Sequence, residues 1–404
     1  MINKFFNSMA ASCLLTLLAV FTAQPAEAQS QGSAPAAGVL LDSLAETGIL
    51  KKNRIRQPQE ALTLSRFLKE GKVHVLAVRE DNGETITGVD LSELLGRFDS
   101  EIFSLIAGSE FDQLSALVSS QATAVTVGYS DLLPCVSGSR HLAIGINYAE
   151  HGKETGQVRP FMFPKLVETD PALHTLHYTE GWLLDHEVEL GIVFPSDICS
   201  PELDDSQRIG FMVVNDFTDR ATLMRNMDSQ DVTGGKGFPD AKSLKGFLPT
   251  GPYMVIPRNW RTFVAELQLE LSLNGTLRQK GAARDMVWKI DEIIARSLGT
   301  KNRAESYYAG RRIPLFEGDC IPAGSIIVTG TPAGVVFKAP KGSFIFGRVL
   351  KYIFTGRFLT AKMHPYILQQ YLKEQMANPN YLKPGDRVES TISYLGTIRT
   401  NIVR

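Results

Sequence analysis

The sequence predicts a sheet-dominated α+β fold preceded by a smaller N-terminal α/β unit. Three observations carry this. From about residue 136 the apolar runs are short and strand-like: HLAIGIN, VELGIVF, IGFMVVNDF, GPYMVIP, LQLELSLNG, SIIVTGTPAG and RVESTISYLG. The alternation in LQLELSLNGTLRQ around Asn274-Gly275 is the signature of a two-residue hairpin. In the same stretch DMVWKIDEIIARSL (285–298) is the one clear amphipathic helix, apart from a late segment at 338–380.

The chain opens with a targeting pattern. Lys4 supplies a positive start, Ala10 to Ala23 an apolar run too short to span a bilayer comfortably, and Ala26-Glu27-Ala28 a small-residue cleavage site. Residues 1–28 therefore read as a signal peptide, and the mature chain from Gln29 as exported, in a bacterium to the periplasm. QSQGSAPAAG (29–38) is a flexible linker. A small N-terminal domain follows at 39–135. It holds a strand at VHVLAV, a turn at Asp81-Asn82-Gly83, a helix that Asp90 or Ser92 caps, and helical patterning through EIFSLIAG and FDQLSALVSS. Residues 136–404 form the sheet-rich unit.

Composition narrows the function. With 44% apolar residues, 21% charged residues and a net charge of −1, there is no basic excess to neutralise phosphates, which excludes a nucleic-acid binder. Beyond the leader stand Cys135, Cys199 and Cys320, odd in number and without a C-x-x-C pair. That argues against a disulfide framework and against zinc, and makes each a buried small hydrophobe, with a single bridge left open.

The chemistry gathers on acids. In DHEVELGIVF, strand alternation sends Glu187 and Glu189 to one face, roughly 6–7 Å apart. Two like charges where a sheet turns apolar need a cation or water beside them. Asp216 follows the next apolar run, so three carboxylates close two consecutive strands. An oxygen-only set suits Mg²⁺, Mn²⁺ or Ca²⁺; two solvated acids on a sheet edge are the alternative. His151 and Glu154, three apart, meet on one face of a short helix. They suit a general base with a carboxylate behind it, or form a plain surface pair.

The ordered series GINYAEHGKETG, DHEVELGIVF, GFMVVNDFTDR, AKSLKGFLPTGP, SIIVTGTPAGV and LKPGDRVESTISYLG resembles the fumarylacetoacetate hydrolase family from about residue 60 to the C-terminus. The resemblance implies a mixed β-sandwich roll behind a smaller N-terminal domain, commonly as a homodimer. It implies a divalent metal, Mg²⁺ foremost, on Glu187, Glu189 and Asp216, a catalytic pair His151 and Glu154, and an active-site lysine. The family's K-S spacing puts that lysine at Lys242 rather than Lys236 or Lys245. Lys165 resembles the family's lysine after a mobile loop, with an ordinary surface lysine as the alternative, and Arg220 falls on a substrate-binding position. In the turn Thr329, Gly330, Thr331 the hydroxyls and backbone N–H groups suit a substrate carboxylate, with a plain tight turn as the alternative. The family's A-R-D-x-Q run keeps Arg220 here but has Ala221 and Leu223 for its Asp and Gln. The implied activity is metal-dependent hydrolysis of a C–C bond in a 2,4-dioxo acid of the acylpyruvate or fumarylacetoacetate type. Decarboxylation, hydration or isomerisation of an oxo acid through a metal-held enolate is the nearest alternative. A non-catalytic exported ligand binder is the other.

Two stretches, 299–321 and 338–380, are longer than that family needs. Residues 341–378 carry six Lys/Arg, one Glu and seven aromatics. Ile345, Val349, Tyr352 and Ile353 line one side of a first helix, with Arg348 and Lys351 on another. A second helix starts with Pro365 at its first position and carries Ile367, Leu368, Tyr371 and Leu372. The expectation is that this pair buries its apolar face against protein and helps set the oligomer. A lid and a peripheral contact with an anionic membrane are the alternatives.

Overall fold

The computed structural model describes residues 53–228 and 230–404. The expected signal peptide (1–28), the expected linker (29–38) and residues 39–52 lie outside the described residues. Those described divide into two compact units, 53–339 with 372–404, and 340–371.

The larger unit is built on a ten-stranded sheet. Its order is β4 (Val125–Gly128), β3 (Thr85–Asp90), β2 (Lys72–Asp81), β1 (Ala61–Lys69), β12 (Met254–Pro257), β10 (Gly210–Asn215), β9 (Val188–Val193), β17 (Ile327–Val328), β5 (His141–Gly145) and β6 (Phe161–Lys165). A five-stranded sheet runs β14 (Thr276–Ala282), β13 (Gln268–Leu273), β18 (Arg387–Ile392), β19 (Gly396–Val403) and β7 (Leu173–His177). Two short pairs, β8 (Leu184–Asp185) with β11 (Thr218–Asp219) and β15 (Ser306–Tyr308) with β16 (Arg311–Ile313), complete the strands. Pairing is antiparallel except for β17 on β5 and β19 on β7, so both large sheets are mixed.

Alternation decides the layers. Leu190 and Ile192 of β9, with Phe211 and Val213 of β10, enter the core that also holds Leu269, Leu271, Val388, Ile392 and Ile398 of the five-stranded sheet. Met212, Val214 and Val193 point the other way, into a second core with Leu91, Ile102, Leu105, Leu114 and Val118 of the N-terminal helices. The central strands are thus covered on both faces, which is why they read as unbroken apolar runs. The sequence-expected boundary at 135/136 does not interrupt the sheet, because β1 pairs with β12 across it.

Local signals hold where they are short-range. Asn274 and Gly275 take φ of 51° and 78° in the turn between β13 and β14, as a type I′ hairpin requires. Asp90 accepts from the Glu93 amide at 3.2 Å and caps helix Leu91–Leu95. The helix read over 285–298 spans Ile290–Leu298, after a 3₁₀ turn at Ala283–Asp285.

One reading is corrected. Cys199 and Cys320 form a disulfide across 121 residues, while Cys135 is free and buried. The adjacent Ile198 and Ile321 exchange both backbone hydrogen bonds at 2.9 Å, and that contact brings the two cysteines together. No spacing rule shows a pairing made by two distant segments.

In the smaller unit a helix, Gly342–Phe354, leads through a 3₁₀ turn at Arg357–Leu359 to helix Met363–Met376, whose last residues belong to the larger unit. Pro365 is the third residue of this second helix rather than its first. It still lies in the first turn, where amides have no intrahelical acceptor.

Candidate active site

Strands β9 and β10 bring the acids together. Asn215 faces Val188 in their antiparallel register, and the Asp216 amide donates to the Glu187 carbonyl at 2.9 Å. Asp216 therefore stands opposite Glu187, with Glu189 one alternation further along β9. One carboxylate oxygen from each of Glu187, Glu189 and Asp216 lies within 4.8 Å of the others. Their positions at strand ends suggested contact with water, but all three are buried.

Burial of three carboxylates requires compensation, and three cations supply it to Glu187 and Asp216. Lys165, at the end of β6, puts Nζ 2.5 Å from Asp216 Oδ1. Lys242, at the end of helix Phe238–Lys242, donates to Glu187 Oε2 at 2.6 Å and to Asp216 Oδ2 at 2.7 Å. Arg220, first in helix Arg220–Asn226, donates to Asp185 Oδ2 at 2.9 Å and also to Glu187 Oε1. Lys236 and Lys245 are exposed, so of the three neighbouring lysines Lys242 is the one on the acids.

The electrostatics separate the two glutamates. Burial pushes the Glu187 carboxyl up, but Lys242 and Arg220 hold it well below the usual carboxylate range. Glu189 is driven up by burial and by the charges of Asp216 and Glu187. Its Oε2 accepts the Gly330 amide at 2.5 Å. Counting Asp185, four carboxylates face three cations, and Glu189 is the acid without a cationic partner among the described residues. A hard divalent ion beside the triad would relieve that excess, so the donor set fits one. Burial lowers Lys165, outweighing the Asp216 charge; it lowers Lys242 too, but Asp216 and Glu187 more than reverse this.

The turn expected to hold a substrate carboxylate is used differently. Thr329 Oγ1 donates to the Leu190 carbonyl at 3.0 Å and Thr331 Oγ1 to the Val188 carbonyl at 2.9 Å, so both hydroxyls fasten the turn to β9. Gly330 sits at φ 93°, and a Cβ there would lie 2.7 Å from Asn147 Cβ. Further along, Gly334 N–H reaches Glu154 Oε2 at 2.9 Å, and the Val336 and Phe337 amides reach the two Asp185 oxygens at 3.0 and 3.1 Å. The Gly330, Gly334, Val336 and Phe337 amides of this loop thus serve the protein's own carboxylates. Arg220, expected on substrate, is likewise engaged by Asp185 and Glu187.

His151 and Glu154 share helix Ala149–Thr155, with His151 buried. His151 Nδ1 lies 3.7 Å from Glu154 Oε2 and has no hydrogen-bond partner among the described residues. Burial would raise the Glu154 carboxyl, but His151, Lys338 and the Gly334 amide hold it at about 2. It is an anion at every working pH, poised behind the imidazole. Asn147 locks the preceding turn through Trp288 and Thr329 at 2.7–3.1 Å, consistent with a structural part.

The family described as fumarylacetoacetate (FAA) hydrolase, C-terminal, matches residues 140–403. The chain belongs to this family. A fumarylacetoacetate hydrolase of the psychrophile Exiguobacterium antarcticum superposes with a TM-score of 0.53 at 21% identity, over 85% of this chain and 99% of that one. A maleylpyruvate hydrolase of Sphingobium sp. SYK-6 gives 0.50 at 20% identity, over 85% and 99%. By sequence, an uncharacterized protein of Staphylococcus aureus strain USA300 is 27% identical over 296 residues, 71% of this chain and 77% of that protein.

Within this family member, sequence reasoning missed Asp185. It lies two residues before Glu187, on the same alternation as Glu187 and Glu189, and that spacing could have flagged it. Gln279 was missed as well. Its side chain accepts from the Val188 amide at 3.0 Å and donates to Thr331 Oγ1 and the Pro332 carbonyl, each at 2.8 Å, with no local signal. The Ala221 and Leu223 positions are filled core: both are buried, and Leu223 packs in the second apolar cluster.

Proposed function

We propose that the protein is a divalent-metal-dependent hydrolase that cleaves a C–C bond in a 2,4-dioxo acid of the acylpyruvate or fumarylacetoacetate type. The observation that carries this is the convergence of Glu187, Glu189 and Asp216 to within 4.8 Å. Among the described residues it leaves Glu189 without a cationic partner, and His151 Nδ1 without a hydrogen-bond partner, 3.7 Å from an anionic Glu154.

A divalent ion held by Glu187, Glu189 and Asp216 would supply Lewis-acid polarisation of the dioxo unit. The residues of this chain divide the remaining work. His151 takes a proton from water, and Glu154 stabilises the imidazolium that results. The hydroxide adds to the carbonyl carbon distal to the carboxyl end, and the bond from that carbon to the central CH₂ breaks. Its electron pair remains as the enolate of the 2-oxo acid fragment, and His151 returns the proton to the enolate carbon. Lys242 offers an ammonium to the enolate oxygen; leaving Glu187 or Asp216 for it is compensated when the ion occupies the acids.

The test is turnover. Protein stripped by chelation and reloaded with Mg²⁺ or Mn²⁺ is screened against acylpyruvates, oxaloacetate and oxo-alkenoates. Hydrolysis of an acylpyruvate, lost on chelation, is the expected result. Turnover of oxaloacetate or an oxo-alkenoate alone would move the assignment to decarboxylation or isomerisation. Metal retention without turnover of any of them would make the protein a binder.

A further inference from the structure

The helix Gly342–Phe354 is apolar on two sides. One side holds the pair together: Tyr352 stacks near Tyr366 at 5.4 Å between ring centroids and donates to the Ala361 carbonyl at 2.6 Å. Ile353, expected on that same side, is instead 49% exposed. It belongs to a second stripe, Phe346, Leu350, Ile353 and Phe354, spaced i, i+4, i+7 and i+8 as one continuous helical face requires. All four are exposed, Phe354 at 82%. The following 3₁₀ turn extends the stripe with Phe358 and Leu359, the latter 79% exposed. Six large apolar side chains in fourteen residues are thus exposed, far beyond the scatter of single hydrophobes on ordinary surfaces.

Charge decides what covers them. Residues 341–371 contain Lys341, Arg348, Lys351, Arg357 and Lys362 and not one Asp or Glu. A symmetric contact between two copies sets the same patch against itself, so the exposed Lys351 and Arg357 near the stripe would meet their own copies. That counts against the oligomer contact expected from the sequence. An anionic lipid surface has the complementary charge and accepts the apolar side chains at the boundary of headgroups and acyl chains. Among the described residues no helix is long and apolar enough to cross a membrane, so the contact is peripheral. We infer that the exposed stripe Phe346–Leu359, with its flanking lysines and arginines, docks the enzyme on an anionic membrane surface.

The experiment is co-sedimentation of the full chain with vesicles of phosphatidylglycerol and phosphatidylcholine, compared with vesicles of phosphatidylcholine alone. The N-terminal segment is common to every variant, so the ratio of the two partition coefficients reads the stripe and its charges. The wild type is expected to prefer anionic vesicles and to lose that preference at high salt. Lys351→Ala with Arg357→Ala should lower partitioning onto anionic vesicles about 30-fold. Phe354→Glu with Leu359→Glu should abolish it, with unchanged turnover and circular dichroism. Equal partitioning of the wild type onto both vesicle types overturns the inference. So does a wild-type dimer in gel filtration that Phe354→Glu with Leu359→Glu dissociates, which would assign the stripe to a second copy.

Discussion

The Lys165 ammonium lies 2.5 Å from Asp216 Oδ1, with the two side chains 0% and 2% exposed. Lys242 approaches the other oxygen of the same carboxylate at 2.7 Å. Asp216 is thus an expected metal ligand and also the counter-charge of two buried lysines. Asp216→Ala should therefore abolish activity and also lower stability by about 3–5 kcal/mol, the range for stranding a buried charge. Urea unfolding of the metal-free protein measures it. Coincident transitions for variant and wild type would show that the lysines find other compensation.

Glu189 behaves in the opposite sense. Its charge is opposed by burial and by Asp216 and Glu187, so Glu189→Gln, which keeps an acceptor for the Gly330 amide, should raise the Tm of the metal-free protein. The rise in Tm that Mg²⁺ or Mn²⁺ gives the wild type should shrink, with metal affinity falling by more than the about 10–100-fold typical of outer-shell changes. Thermal scans with EDTA and with metal separate the two effects. A variant less stable without metal than the wild type would contradict the electrostatic account.

His151→Ala should reduce kcat by about 10²–10⁴-fold, the usual contribution of a general base, with metal affinity little changed. Glu154→Gln should cost less, since an amide still accepts the Gly334 N–H while the charge behind the imidazole is gone. Steady-state kinetics on a hydrolysed substrate, with metal titration by calorimetry, make the comparison. A decarboxylation that survives loss of His151 while hydrolysis fails would limit the pair to activating water.

Acid should weaken the fold through two buried histidines. Burial, with the Lys165 charge, pushes His141 down to about 4, and burial with His177 does the same to His174. His141 Nδ1 accepts the Ile326 amide at 3.1 Å and must be unprotonated to do so. The unfolded chain takes up these protons near the ordinary value of 6.5. Stability is therefore full above about pH 6.5 and falls as the pH drops toward 4, by about 3 kcal/mol per histidine. Tm measured between pH 7 and 4 tests this. His141→Asn, whose Oδ1 can replace Nδ1 as acceptor, should flatten part of the slope, and an unaltered slope would remove His141 from the explanation.

The Cys199–Cys320 bridge closes a long loop, so its removal should cost about 2–5 kcal/mol. Cys199→Ala with Cys320→Ala, or the wild type kept reduced, should unfold at a lower urea concentration than the oxidised protein. An identical midpoint would mean that the Ile198–Ile321 contact alone fixes these segments.

The sequence determined what short-range geometry governs. Strand alternation put Glu187 and Glu189 on one face, helical spacing joined His151 to Glu154, and Asn274-Gly275 named its hairpin. Each of these rests on a period of two or four residues, so no distant partner is needed to read it. The ordered motifs added the family and, with it, the pairing of the two glutamates with Asp216. The tertiary structure decided how the acids are neutralised and what the loop donors do. Lys165 lies 51 residues from Asp216 and Lys242 lies 55 from Glu187; only the folding of β6 and helix Phe238–Lys242 onto β9 and β10 brings them together. For the same reason the Thr329–Phe337 loop reads as a substrate cradle in sequence but spends its donors on β9, Glu154, Asp185 and Glu189 in the fold. The exposed stripe was hidden too, because periodicity shows that a helix is apolar on a face but not which face the rest of the protein leaves uncovered. Compensation of buried charge is a long-range demand, met by whichever residues the sheets bring near, and a linear pattern does not contain it.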